Sequence, residues 1–73
     1  MFREKVNNVS FYAAKLPEAG LKIQAQREAQ KTLTNCHIIQ WQNVYYVVSP
    51  MFLRNFPGYR VFATIDRYGN EVR

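Results

Sequence analysis

The residues best suited to chemistry in this chain are one cysteine and one histidine, adjacent at Cys36-His37, the serines Ser10 and Ser49, and the carboxylates Glu4, Glu18, Glu28, Asp66 and Glu71. A thiolate–imidazole pair requires both side chains on one side of the backbone. Cys36 and His37 are consecutive in a segment that reads as a strand, so they point to opposite faces and cannot form it. A closed four-ligand zinc site would have to bring two carboxylates to the same dipeptide, without the ligand spacing such sites show. None of the carboxylates adjoins another, and Glu18 and Glu28 fall on different faces of the helix expected there. A set made of Ser10 or Ser49 with His37 and Asp66 lacks the sharp strand-to-helix turn that presents a nucleophilic serine. Gly20, Gly58 and Gly69 are too dispersed to build a phosphate loop. The chain therefore reads as non-enzymatic, with no catalytic residue, metal site or cofactor expected.

Charge carries more information. Ten Lys and Arg against five Asp and Glu give a formal charge of +5. That balance favours acidic partners and opposes self-association. Every cation from residue 54 onward is arginine: Arg54, Arg60, Arg67 and Arg73. The planar guanidinium suits bidentate and stacking contacts better than the lysine ammonium does. Aromatic residues run among these arginines in "MFLRNFPGYRVF", residues 51 to 62, and again at Arg67-Tyr68. An exposed aromatic beside an arginine on a sheet is a platform for a nucleic-acid base. Strict alternation puts Phe62 beside Arg60 and Thr64, on the face opposite Tyr59, Val61 and Ala63.

The elements that must position these side chains follow from periodicity. Phe2, Val6, Val9, Ala13 and Leu16 are spaced 4, 3, 4, 3, which predicts a helix over residues 2–15. A competing reading takes Val9, Phe11 and Ala13 as one face of a strand at about 7–14. Leu16-Pro17 marks a boundary, and Leu21, Ala25, Ala29 and Leu33 then recur every four residues as the seam of a helix that stops near Thr34-Asn35. From Cys36 the pattern is that of strands: a hairpin pairing 37–41 with 44–49 around Gln42-Asn43, a connection rich in Pro50, Pro57 and Gly58, a strand from Tyr59 to Asp66, and a short final strand after "DRYGN".

The expected fold is α+β in one domain spanning residues 1–73: one or two N-terminal helices packed on a three- to four-stranded antiparallel sheet, or β-α-β-β in the competing reading. At 73 residues the chain is near the size at which one apolar core suffices. Both faces of "VYYVV" are apolar, so something beyond one helical layer must cover the second face: the 50–57 loop, a second subunit or a target. Lone Cys36 permits no internal disulfide, and no signal peptide or membrane span is visible, so a cytoplasmic location is the expectation.

The expected function is a small basic binding protein that engages a nucleic acid or nucleoprotein complex through Arg54, Arg60, Phe62, Arg67 and Tyr68, with Lys22, Arg27 and Lys31 adding phosphate contacts. The alternative is a protein-binding module, such as an accessory subunit or a small inhibitor of the kind mobile elements encode. A homodimer through the sheet is compatible with either.

Overall fold

The computed structural model describes residues 1–72, and its first element is a hairpin, not a helix. Strands β1 (Phe2–Val6) and β2 (Val9–Ala14) pair antiparallel, with Val6 opposite Val9 and Phe2 opposite Ala13. The turn between them is Asn7-Asn8, with φ of 51° and 67°. Two successive left-handed residues make the two-residue turn whose twist matches that of paired strands, and asparagine tolerates that conformation better than other residues with a Cβ. The helix expected over 2–15 is thus overturned. Its 4, 3, 4 spacing is also that of a tight hairpin, since Phe2, Val6, Val9 and Ala13 lie on one face, two per strand.

Helix α1 (Ala19–Thr32) is the one α-helix of the described residues and follows the Pro17 boundary as expected. Leu21, Ala25 and Ala29 are buried against the sheet. Leu33 does not continue the seam. It caps the helix in the left-handed conformation at φ 57°, its N–H reaching the Ala29 carbonyl, and is 71% exposed. Gln26 Nε2 donates to the Gly69 carbonyl, Gln30 Nε2 donates to the Tyr68 carbonyl, and Lys22 Nζ donates to Glu71. These three residues, four apart along one edge of the helix, tie it to the C-terminal turn and strand.

Strands β3 (Cys36–Trp41) and β4 (Val44–Val48) form the central hairpin, closed by Gln42-Asn43 at φ 51° and 63°. A 3-10 helix (Pro50–Asn55), β5 (Arg60–Ile65) and β6 (Glu71–Val72) complete the chain. All strands join one antiparallel sheet in the order β1-β2-β4-β3-β5-β6. The α+β class is as expected and the one α-helix of the described residues falls within the one or two expected, but six strands replace the three or four.

The sheet separates two cores. On the helix side, Leu21, Ala25 and Ala29 meet Cys36, Ile38, Val47, Ala63 and Ile65. On the reverse side, Phe11, Ile39, Tyr46 and Val48 pack around Phe56, with Phe52 and Leu53 against them. Phe56 is fully buried, its ring centroid 5.0 Å from Phe11, 5.2 Å from Trp41 and 4.9 Å from Tyr46. Edge-to-face and tilted contacts of this kind add to the apolar burial of each ring. Trp41 Nε1 donates to the Pro57 carbonyl at 2.8 Å, which fixes the end of the cap. The second apolar face of "VYYVV" is therefore covered by the segment after β4, the first of the three covers expected, and is not left for a second subunit or a target to cover.

Phe62 is also placed differently. Between Ile38 and Ile39 the β3–β5 register slips: Ala63 faces Ile38 while Val61 faces Ile39, leaving Phe62 as the extra residue of a β-bulge. The bulge turns the Phe62 ring to the helix side, where its centroid lies 5.3 Å from that of Tyr45. Strict alternation would have placed it on the reverse face with Thr64.

Candidate nucleic-acid interface

The eight side chains expected to form a binding surface are dispersed. Arg54 is exposed on the 3-10 helix over the reverse face, and Arg60 opens β5. Half-exposed Phe62 borders a cavity of about 280 Å³ beside Pro17, Leu21 and Lys22. Lys22 is committed there to its ion pair with Glu71 at 2.9 Å. Arg67 and Tyr68 lie in the β5–β6 turn, where the guanidinium donates to the Tyr68 hydroxyl at 2.9 Å and also stands over its ring at 5.0 Å. Arg27 and Lys31 share a second, larger concave site, and neither enters an ion pair there.

That site is a cleft of about 500 Å³ between α1 and the first hairpin. It exists because β2 pairs with β4 only through Ala13 and Ala14, opposite Tyr46 and Tyr45. Toward its N-terminal end β2 separates from the end of β4. Pro50, next to buried Ser49, has no N–H to extend the ladder, and the chain turns there into the 3-10 helix. Apolar Val9, Phe11, Val47 and Phe52 line it together with Arg3, Arg27 and Lys31 and with Ser10, Tyr12, Gln24 and Glu28.

Arg3 and Tyr12 are the residues that sequence reasoning missed. They are cross-strand partners on the helix side of the first hairpin, and the Arg3 guanidinium lies 4.2 Å over the centroid of the Tyr12 ring. Arg3 Nε also donates to Ser10 Oγ at 3.0 Å, and its Nη2 to the Ser10 carbonyl at 3.4 Å. A guanidinium held by stacking and by hydrogen bonds loses less freedom when an anion arrives. Among the described residues the ion pairs are Met1 amino group to Glu18 and Lys22 to Glu71, so Arg3, Arg27 and Lys31 enter none. With Glu28 as its one carboxylate, the cleft lining carries three cations against one anion. The signal that could have found Arg3 and Tyr12 was Asn7-Asn8, which fixes Arg3 opposite Tyr12 once it is read as a two-residue turn.

Cys36 and His37 do not line the cleft. Burial, with a smaller effect from the Glu28 charge, pushes the Cys36 thiol up to about 12, and Cys36 Sγ donates to the Val48 carbonyl at 3.5 Å. A thiol so protonated is a poor nucleophile. His37 projects from the opposite face, where its Nδ1 is hydrogen-bonded to Thr64 Oγ1 at 2.9 Å and burial lowers its pKa. Among the described residues no three of His, Cys, Asp and Glu converge as a metal site would require. No helix among them is long and apolar enough to cross a membrane. Comparison with protein families, with curated proteins and with solved structures finds no match for the chain.

Proposed function

We propose that this chain is a small non-enzymatic binding protein that engages nucleic acid through the cleft between α1 and the first hairpin. The observation that carries the reading is the convergence of Arg3, Arg27 and Lys31, free of ion pairs, around one concave site that also holds Tyr12. Unpaired cations around a hollow raise the local potential and attract a polyanion at long range. Relative to the expectation from sequence, the site moves off the sheet face and onto the helix flank. Arg27 and Lys31 keep the phosphate-binding role expected of them, and Arg54, Arg60, Arg67 and Tyr68 lie outside the cleft.

Binding of this kind displaces counterions. For a single strand contacting three phosphates, log affinity against log salt should fall with a slope of about −2. Arg27→Ala with Lys31→Ala should reduce that slope by about 1 and weaken binding at least tenfold at low salt, since both residues are exposed and their loss leaves the core intact. Fluorescence anisotropy with labelled oligonucleotides is the measurement. An absence of binding to any DNA or RNA at low salt rejects the proposal. In that event the protein-binding alternative gains ground, favoured by the half-exposed Val61 and Phe62 on β5, whose ladder with β6 covers only Thr64 and Ile65.

A further inference from the structure

The make-up of the cleft distinguishes between forms of nucleic acid. A surface that contacts only phosphates needs cations and hydrogen-bond donors on a convex or shallow face. This site instead is a concave cleft whose lining joins apolar side chains from β2, β4 and the 3-10 helix to the cations Arg3, Arg27 and Lys31. The apolar part of the lining, Val9, Phe11, Val47 and Phe52, contributes nothing to a phosphate, and burying a phosphate against it would cost several kcal/mol of desolvation. What suits it is a flat, largely apolar body attached to an anion.

We infer that the cleft takes an unstacked base of a single strand, with the flanking phosphates on Arg3, Arg27 and Lys31; this deepens the proposed function and rests on it. In a duplex every base is stacked and paired, so its insertion would add an unstacking cost of a few kcal/mol that a single strand largely avoids. The whole chain measures 28 × 23 × 20 Å. A cleft of about 500 Å³ in so small a body admits a base with its sugar but cannot surround a double helix. Tyr12, held by Arg3 on the cleft wall, adds an aromatic surface that any base can contact. The preference is accordingly for strandedness and not for sequence.

The test compares three probes of about twelve nucleotides on the full chain at one salt concentration: a single-stranded oligothymidylate, a duplex, and an abasic single strand that keeps the phosphates but lacks the bases. The single strand should bind at least tenfold more tightly than either of the others. Gln24→Trp, on the α1 wall of the cleft and outside the contacts that hold Arg3, should obstruct the cleft without removing a cation. It should abolish the single-strand preference and leave duplex affinity within about twofold, with thermal unfolding confirming an intact fold. Tyr12→Ala, which adds no bulk, should lower single-strand affinity more than duplex affinity. Equal affinity for all three probes, with a salt slope still near −2, overturns the base-insertion inference and leaves the cationic site standing. Binding to none of the probes overturns both.

Discussion

The hairpin of residues 2–14 and the hairpin of residues 36–48 are closed by the same two-residue turn, yet the first pairs with a neighbouring strand only through Ala13 and Ala14 and the second has a strand along each side. Their faces correspond position by position. Phe2, Glu4 and Val6 lie across from Ala13, Phe11 and Val9 in one, as His37, Ile39 and Trp41 lie across from Val48, Tyr46 and Val44 in the other. The difference is on the helix side. There the central hairpin carries Cys36, Ile38 and Val47 into the core, while the outer one carries Arg3, Lys5, Ser10 and Tyr12, all exposed. One hairpin is a structural centre, and the other, bordered on one side only, has helix-side positions available for recognition.

The sharpest way to break that division is to remove the side chain both hairpins share. Phe56 touches Phe11 of the first and Trp41 and Tyr46 of the second. Phe56→Ala should cost about 3–5 kcal/mol, as large-to-small changes at fully buried aromatics do. A domain this small has little more than that in total, so the variant should be largely unfolded at room temperature. Chemical denaturation measures it. A loss below about 1 kcal/mol would mean that the 3-10 helix is not part of the core, and that the reverse face can open.

The same comparison explains how much could be read in advance. Residues 37–48 were legible because β-branched and aromatic density agreed with the turn signal. Residues 2–14 were not, because their apolar spacing is common to an amphipathic helix and to a hairpin with a two-residue turn. His37, Trp41, Val44 and Val48 repeat that 4, 3, 4 spacing within a proven hairpin. Periodicity could not arbitrate, and the left-handed tolerance of Asn7-Asn8 could have. The helix seam was legible through Leu21, Ala25 and Ala29. The need to cover both faces of β4 was legible, with the 50–57 loop as one of three covers, and the packing of Phe52, Leu53 and Phe56 selects it. The bulge at Phe62 left no local trace, since "YRVFATI" alternates in the ordinary way and the slip is set by partners distant in sequence. The cleft was hidden for the same reason: Arg3, Tyr12 and Arg27 meet only after the outer hairpin is placed beside the helix.

A smaller effect sharpens the contrast between the hairpins. Asn8 and Asn43 occupy equivalent left-handed positions, at φ 67° and 63°. Alanine at either site should cost about 1 kcal/mol of local conformational energy. In Asn43→Ala that cost should appear in full in global unfolding, because the central hairpin cannot open alone. In Asn8→Ala the global loss is limited by the free energy at which the outer hairpin opens locally. It should be visibly smaller, with faster amide exchange confined to residues 3–12. Because Arg3 and Tyr12 are presented by that hairpin, Asn8→Ala should also weaken nucleic-acid binding more than Asn43→Ala does. Equal global losses with unchanged exchange would show that the outer hairpin is as tightly integrated as the central one.

The smallest effect belongs to the one histidine. His37 lies on the central hairpin at the position Phe2 holds in the outer one, so only the central hairpin has an imidazole to titrate. Burial lowers its pKa from the ordinary 6.5, so the unfolded chain takes up a proton at a higher pH than the folded chain does. In that interval the unfolded state binds more protons, and stability rises with pH. The contribution is therefore fully present above pH 6.5, declines as the pH falls through 6.5 toward the folded-state value, and is constant below it. Protonation also leaves both ring nitrogens as donors, so Nδ1 can then only donate to Thr64 Oγ1. Thermal unfolding of the parent chain should show this loss below pH 6.5, and His37→Gln, which can still bond to Thr64, should remove it. An unchanged pH profile in the variant would transfer the effect to the carboxylates. Amide exchange read residue by residue should place the loss in 36–48 and spare residues 2–6, because the one histidine lies on the central hairpin.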